Sequence, residues 1–249
     1  MPSIQPRFTP LWEKEVTGYY RPVTMEREAR LYSCTFGKNA ALRQSIRQNI
    51  DPRWPNMLYI GLGRGEGATD YLEILGLLEN ISRSYQMTLL DNDLITVENA
   101  RTRRTIRRDP RYSHSGWQQY ISDTGQTGTI TEATVPRSYQ RKKDNGDITF
   151  LTKDIVKDVL DMHETFNISH CVDVLCFQTD EDILLLALQR LGYVTKQGGL
   201  VIVDDGPNTL SFKNPRIRAK VERWGRELHL QIEREIERPE GRYLLLRKL

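Results

Sequence analysis

A chain of 249 residues, 38% hydrophobic and 28% charged, is long enough for one large domain and too apolar for a disordered one. Its formal net charge of +3 is too slight to require a nucleic-acid partner by itself. No apolar run approaches the roughly 20 residues of a membrane helix, the opening Met-Pro-Ser-Ile-Gln-Pro-Arg-Phe has no apolar secretory core, and Cys34, Cys171 and Cys176 make neither a disulfide framework nor a zinc spacing. A reducing, cytoplasmic setting without membrane attachment is therefore expected. Residues 1–37 read as an irregular aromatic arm, with Phe8, Trp12, Tyr19 and Tyr20 among Pro6, Pro10 and Pro22. From residue 38 to 249 the pattern is that of one domain. Leu42, Ile46 and Ile50 predict a helix over 38–49, broken by Pro52 and Pro55.

A strand over 57–60 runs into Gly61, Gly63, Gly65 and Gly67, and a helix follows to about residue 80. Glycines at a strand-to-helix turn let the backbone approach a ligand, because no Cβ intrudes. The spacing Gly-Leu-Gly-Arg-Gly-Glu-Gly differs from the G-x-G-x-x-G fingerprint and lacks the Lys-Ser/Thr of a phosphate loop. A second strand, 86–90, ends at Asp91, where an acid suits the two hydroxyls of a ribose. A helix over 94–108 carries Arg101, Arg103, Arg104, Arg107 and Arg108.

Residues 113–146 form a polar, lid-like insertion with a basic run at Arg137, Arg141, Lys142 and Lys143 and a strand pair near 118–121 and 129–135. A long loop of this kind in a compact domain commonly serves a site. The core resumes with a strand at 148–151, Asp154 and a helix to about 162. A strand over 171–177, a helix over 181–193, and a strand ending at Asp204-Asp205 follow. A helix near 214–224 and strands at 228–236 and 242–248 close the chain. Alternating strands and helices predict an α/β fold: a mostly parallel seven-stranded sheet, an antiparallel C-terminal strand, and helices on both faces. In such sheets ligands bind beyond the carboxyl ends of the strands, so Asp91, Asp154, Phe177 and Asp204 are expected around one crevice. His114, His163, His170 and His229 fall away from those ends and read as surface or structural residues.

The order of glycine loop, acid after strand two, acid after strand three and Gly-Gly-Leu-Val-Ile-Val-Asp-Asp resembles the Rossmann-like class I S-adenosylmethionine-dependent methyltransferases over about residues 57–249. The resemblance implies S-adenosylmethionine as cofactor and S-adenosylhomocysteine as product. It implies that Gly61, Gly63 and Gly65 lie against the cofactor's amino-acid end, that Asp91 holds the ribose with Asn92 near the adenosine, and that Asp154 and Ile155 flank the adenine. Asp is also favoured at helix N-caps, so each acid has a structural reading beside the functional one.

Two subfamilies compete for the acceptor. Asp204-Asp205 resembles the metal-dependent small-molecule O-methyltransferases, although Gln178 stands where that family carries another acid. The helix Val-Glu-Asn-Ala-Arg-Thr-Arg-Arg, the upstream run Thr-Phe-Gly-Lys-Asn-Ala-Ala-Leu-Arg and Arg64 in the glycine loop resemble the viral messenger-RNA cap guanine-N7 methyltransferases. That second resemblance implies cofactor contacts at Lys38, Asn39, Arg64 and Phe177, and substrate contacts at Arg43, Arg64, Arg101, Arg104, Phe177 and Glu240. The family's guanine-pocket histidine is absent, with Cys176 about where it would stand. No acid–base residue and no metal are required, because guanine N7 is already a nucleophile. The implied partners are capped RNA and the guanylyltransferase or triphosphatase domains of a capping apparatus, in cytoplasm, viral factory or virion. The non-enzyme alternative is a catalytically inactive methyltransferase fold serving as an RNA-binding or stimulatory subunit.

Overall fold

The computed structural model describes residues 39–62, 70–92, 94–108, 117–122, 127–131, 139–158, 161–171, 181–205, 215–238 and 241–249. A seven-stranded sheet is its centre. The chain enters through helix α1 (Ala40–Asn49), capped by Asn39, and then forms β1 (Asn56–Ile60), α2 (Asp70–Ile81) and β2 (Gln86–Asp91). Helix α3 (Leu94–Thr102) leads into β3 (Arg103–Arg108), which pairs with β4 (Trp117–Ser122) and through it with β5 (Thr127–Thr131) in a separate antiparallel sheet. The core continues with α4 (Tyr139–Asp144), β6 (Ile148–Thr152), β7 (Phe166–Cys171), α5 (Glu181–Val194) and β8 (Thr195–Asp205). Helix α6 (Pro215–Leu228) and the hairpin of β9 (Leu230–Arg238) and β10 (Gly241–Lys248) complete it.

The strands of the large sheet lie in the order β6-β2-β1-β7-β8-β10-β9. Only β10 runs opposite in direction to the other six strands. Central β1 is buried along its whole length, as a parallel strand covered on both faces should be. Alternation along it divides the core: Met57 and Tyr59 join the cluster with α1, α2 and α3, whereas Leu58 and Ile60 join the cluster with α5 and α6. Strand order reverses between β1 and β7, which places the ligand crevice over the carboxyl ends of those strands.

Three predicted elements differ. The helix expected over 94–108 stops at Thr102, and the arginine run continues as β3. Thr102, Thr105 and Ile106 are β-branched, which disfavours helix and suits a pleated strand. The helix expected after Asp154 is a turn at residues 155–158. Asp154 Oδ1 accepts from the amides of Val156 (2.8 Å) and Lys157 (3.2 Å), while Asp158 Oδ2 accepts from the Asp154 amide (2.6 Å). Such reciprocal carboxylate bonds resemble the start of a helix in sequence without requiring one.

The fourth core strand, expected over 171–177, is already formed from Phe166 to Cys171, and the rest of the expected span, 172–177, lies outside the described residues. Its polar residues have partners: half-buried Asn167 accepts through Oδ1 from the Asn56 amide at 2.8 Å, and buried Ser169 accepts through Oγ from Thr195 Oγ1 at 2.7 Å. Buried polar groups are affordable on a strand when bonded, and apolar patterning does not reveal them. His170 is likewise a core residue, its ring edge-on to Tyr59 and Tyr243.

Candidate functional site

The crevice begins where β1 ends. Gly61 has φ 87°, a left-handed value that suits glycine, and its amide donates to Leu90 O at 3.0 Å. The next amide, Leu62, donates to Asp91 Oδ2 at 2.8 Å. The Asp91 carbonyl accepts from the Lys153 amide at 2.9 Å, which ties the ends of β2 and β6 together. Asp91 is therefore fixed at the last position of β2 with its carboxylate on the glycine turn. Asn92 follows it and is exposed. This pairing of a glycine turn with an acid suits a ligand that brings a polar chain to the first and a diol to the second.

The other candidates divide by where the structure puts them. Asp154 is 9% exposed, and its Oδ1 serves the turn described above. Ile155 is buried in the core cluster with Leu58, Ile60 and Leu90. Arg43 lies half-buried in α1, with its amide bonded to Asn39 O at 3.1 Å. Arg101 closes α3, exposed and ion-paired with Glu98. Arg104 stands in β3, so it shares no helix face with Arg101. Asp204 and Asp205 end β8 and pair in register with Tyr243 and Arg242. Lys38, Gly63, Arg64, Gly65, Phe177 and Glu240 lie outside the described residues. Among the described residues, no group of three or more His, Cys, Asp or Glu is arranged to hold a metal ion.

Two members of the basic run have structural partners. Lys142 is 5% exposed, its Nζ 3.1 Å from Asp147 Oδ2 and donating to Tyr85 O at 3.2 Å. Lys143 Nζ donates to Arg101 O at 2.7 Å, a cation on the carbonyl end of α3. Neither is a simple solvated phosphate contact.

Sequence reasoning missed a polar seam at the far side of the same edge. Asn39 Nδ2 donates to Glu237 O at 3.3 Å, joining α1 to β9. Arg242, opposite Glu237 in the hairpin, pairs with Glu235 and Glu237, and Arg218 of α6 shares Glu235. The Asn39–Glu237 bond joins residues 198 apart, and no local pattern announces it.

The strand order and the antiparallel β10 are those of the class I methyltransferase fold, and solved structures agree. A complex containing the Haloferax volcanii Trm112 methyltransferase activator matches with a TM-score of 0.50 at 13% identity, covering 89% of this chain and 91% of that one. A SAM-dependent methyltransferase from Aquifex aeolicus gives 0.49 at 12% identity, with 89% and 93% covered. Mitomycin 7-O-methyltransferase MmcR gives 0.45 at 13% identity and covers 90% of this chain. The chain spans about half the length of some of these structures, 55% of MmcR and 47% of the citrinin polyketide synthase CMeT domain. No protein-family model and no curated protein matches it. The likeness to the complex from Haloferax volcanii, at a TM-score of 0.50, shows the Rossmann-like methyltransferase fold and nothing finer.

Proposed function

We propose that this protein is an S-adenosylmethionine-dependent methyltransferase whose acceptor is guanine N7 of an RNA cap. The observation that carries the cofactor reading is the join of Gly61, Leu62 and Asp91: a left-handed glycine at the end of β1 and a carboxylate at the end of β2 held to the same turn by a 2.8 Å bond. These residues fit the cofactor's chemistry, with the carboxylate accepting from ribose hydroxyls and the glycine turn leaving room for the amino-acid end. The bound cofactor would supply a sulfonium methyl as electrophile.

The acceptor reading rests on chemistry and on the resemblance of the arginine-bearing segment. Guanine N7 uses its own lone pair: the N7–methyl bond forms as the sulfur–methyl bond breaks, and no proton needs removal. The chain's residues then need only orient and desolvate the acceptor, and such positioning can lower a barrier by roughly 7–11 kcal/mol. Arg103, Arg104, Arg107 and Arg108 on β3 supply a concentration of positive charge of the kind that binds phosphates. In this reading Arg43, Arg64, Arg101 and Arg104 take the triphosphate and RNA chain, and Phe177 and Glu240 take the guanine.

The test is methyl transfer from radiolabelled S-adenosylmethionine to a short guanosine-capped RNA, with and without chelator. The expected outcome is label on the cap guanine in both arms. Cofactor binding without RNA label, joined to chelator-sensitive labelling of a catechol, assigns the metal-dependent small-molecule reaction instead. RNA binding without cofactor binding assigns the inactive, stimulatory role.

A further inference from the structure

Asn39 sits at the point where α1 meets the ligand edge of the sheet, and both ends of its side-chain amide are engaged. Oδ1 accepts from the Leu42 amide at 3.0 Å and so caps the helix. Nδ2 donates to Glu237 O at 3.3 Å, 198 residues away in β9. The two partners fix the amide's orientation, since the Leu42 N–H needs an acceptor and the Glu237 carbonyl a donor.

Helix α1 runs across the α1–α2 face of the sheet, with Leu42 and Ile46 buried in that cluster. Its far end is held by Arg247, whose Nη2 donates to Asn49 Oδ1 (2.5 Å) and whose Nη1 donates to Gly198 O (2.8 Å). The same guanidinium donates through Nε to Glu233 Oε2 at 2.6 Å. At the ligand edge the Asn39 amide supplies a side-chain bond between α1 and the hairpin.

Across that edge Asn39, Glu237, Arg242 and Asp205 form a continuous row, with Glu237 opposite Arg242 and Arg242 opposite Asp205 in register. The row lies on the β8-β10-β9 half of the sheet, beyond the switch point from Gly61 and Asp91.

We propose that Asn39 is a positioning residue that sets the acceptor side of the ligand edge by tying α1 to the β9–β10 hairpin, rather than a cofactor contact. The proposal rests on the methyl-transfer reading for its consequence, because the half it governs lies across the switch point from the ribose acid, on the side that reading leaves to the acceptor. Loosening the tie changes how well the acceptor is held and leaves cofactor affinity where it was.

The two roles of the amide can be separated. Asn39→Asp keeps an acceptor for the Leu42 amide and adds a charge that suits a helix N-terminus, but it replaces the donor to Glu237 with an oxygen. Asn39→Ala removes both. The expected result is a thermal midpoint at or above wild type for Asn39→Asp and a lowered one for Asn39→Ala. In both variants the backbone amides of Glu237 and Arg242 exchange hydrogen about three- to tenfold faster, the range one neutral hydrogen bond supports. The KM for capped RNA rises by a similar factor, with kcat and the S-adenosylmethionine Kd unchanged. Exchange and KM both at wild-type values in Asn39→Asp overturn the proposal, as does faster exchange with an unchanged KM. A weakened cofactor Kd overturns it too, returning Asn39 to the cofactor side. Should the wild-type protein methylate no RNA, the functional reading fails; unchanged exchange in Asn39→Asp would then overturn the tie, and faster exchange would support it.

Discussion

Asp91 carries two duties that separate on substitution. Its Oδ2 holds the Leu62 amide and so fixes the start of the glycine loop, while its place at the end of β2 suits a ribose. Asp91→Ala is expected to abolish S-adenosylmethionine binding in calorimetry while the protein stays folded by circular dichroism; retained binding would remove the ribose role. The position of this acid was legible in sequence because an apolar strand runs straight into it. Its bond to Leu62 was not, since the partners stand 29 residues apart and meet only through the pairing of β1 with β2. Asp154 shows the reverse: its place after β6 was legible, yet its Oδ1 bonds two amides of its own turn, a use that a motif match does not reveal. Asn39 was read as a cofactor candidate within a helix over 38–49, and its cap and its bond to Glu237 came only with the fold.

At the scale of elements, Gly225 is the sharpest constraint on the C-terminal third. A Cβ placed there would lie 2.3 Å from Leu230 O, because His229, with φ 56°, turns β9 directly back over α6. Gly225→Ala must therefore push backbone against backbone. An overpacking cost of about 1–3 kcal/mol is expected, read as a fall in thermal midpoint of about 2–4 °C for each kcal/mol; an unchanged midpoint would mean that the α6–β9 junction gives freely.

This junction was only half visible in sequence. The helix and both terminal strands were expected within a few residues of where they lie, since Ile217, Val221, Trp224 and Leu228 mark one face of α6. The glycine's role was hidden in the turn. The two clear misreadings of elements share one cause. An arginine-rich run has no apolar stripe to betray its period, so β3 passed as helix. A strand start with half-buried Asn167 and buried Ser169 and His170 lacks the apolar run that marks a core strand, so the beginning of β7 at Phe166 was missed.

For the molecule as a whole, the two edges of the sheet differ in electrostatics. The ligand edge is knitted by paired charges, Arg242 with Glu235 and Glu237. At the opposite edge two cations are held at a cost. Burial lowers the Lys248 pKa from its usual 10.5, outweighing the pull of Glu164, and lowers Arg190 to about 10, outweighing Asp158.

The sign of the pH effect follows. Below the folded-state pKa both folded and unfolded chains hold the proton, and the burial cost is present in full. As pH rises past that value the folded protein releases the proton first, the unfolded chain binds more protons, and the slope of stability with pH from these groups is positive. Lys248→Met keeps the apolar stem and removes the charge, so it should be more stable than wild type at neutral pH by about 1 kcal/mol or less for so partly exposed a group. The advantage should shrink as pH climbs through the lowered lysine pKa toward 10.5. Urea unfolding of both proteins from pH 7 to 10.5 reads this directly, because titrations common to both cancel in the difference. A gap that widens with pH would mean that the Glu164 attraction, not burial, governs Lys248.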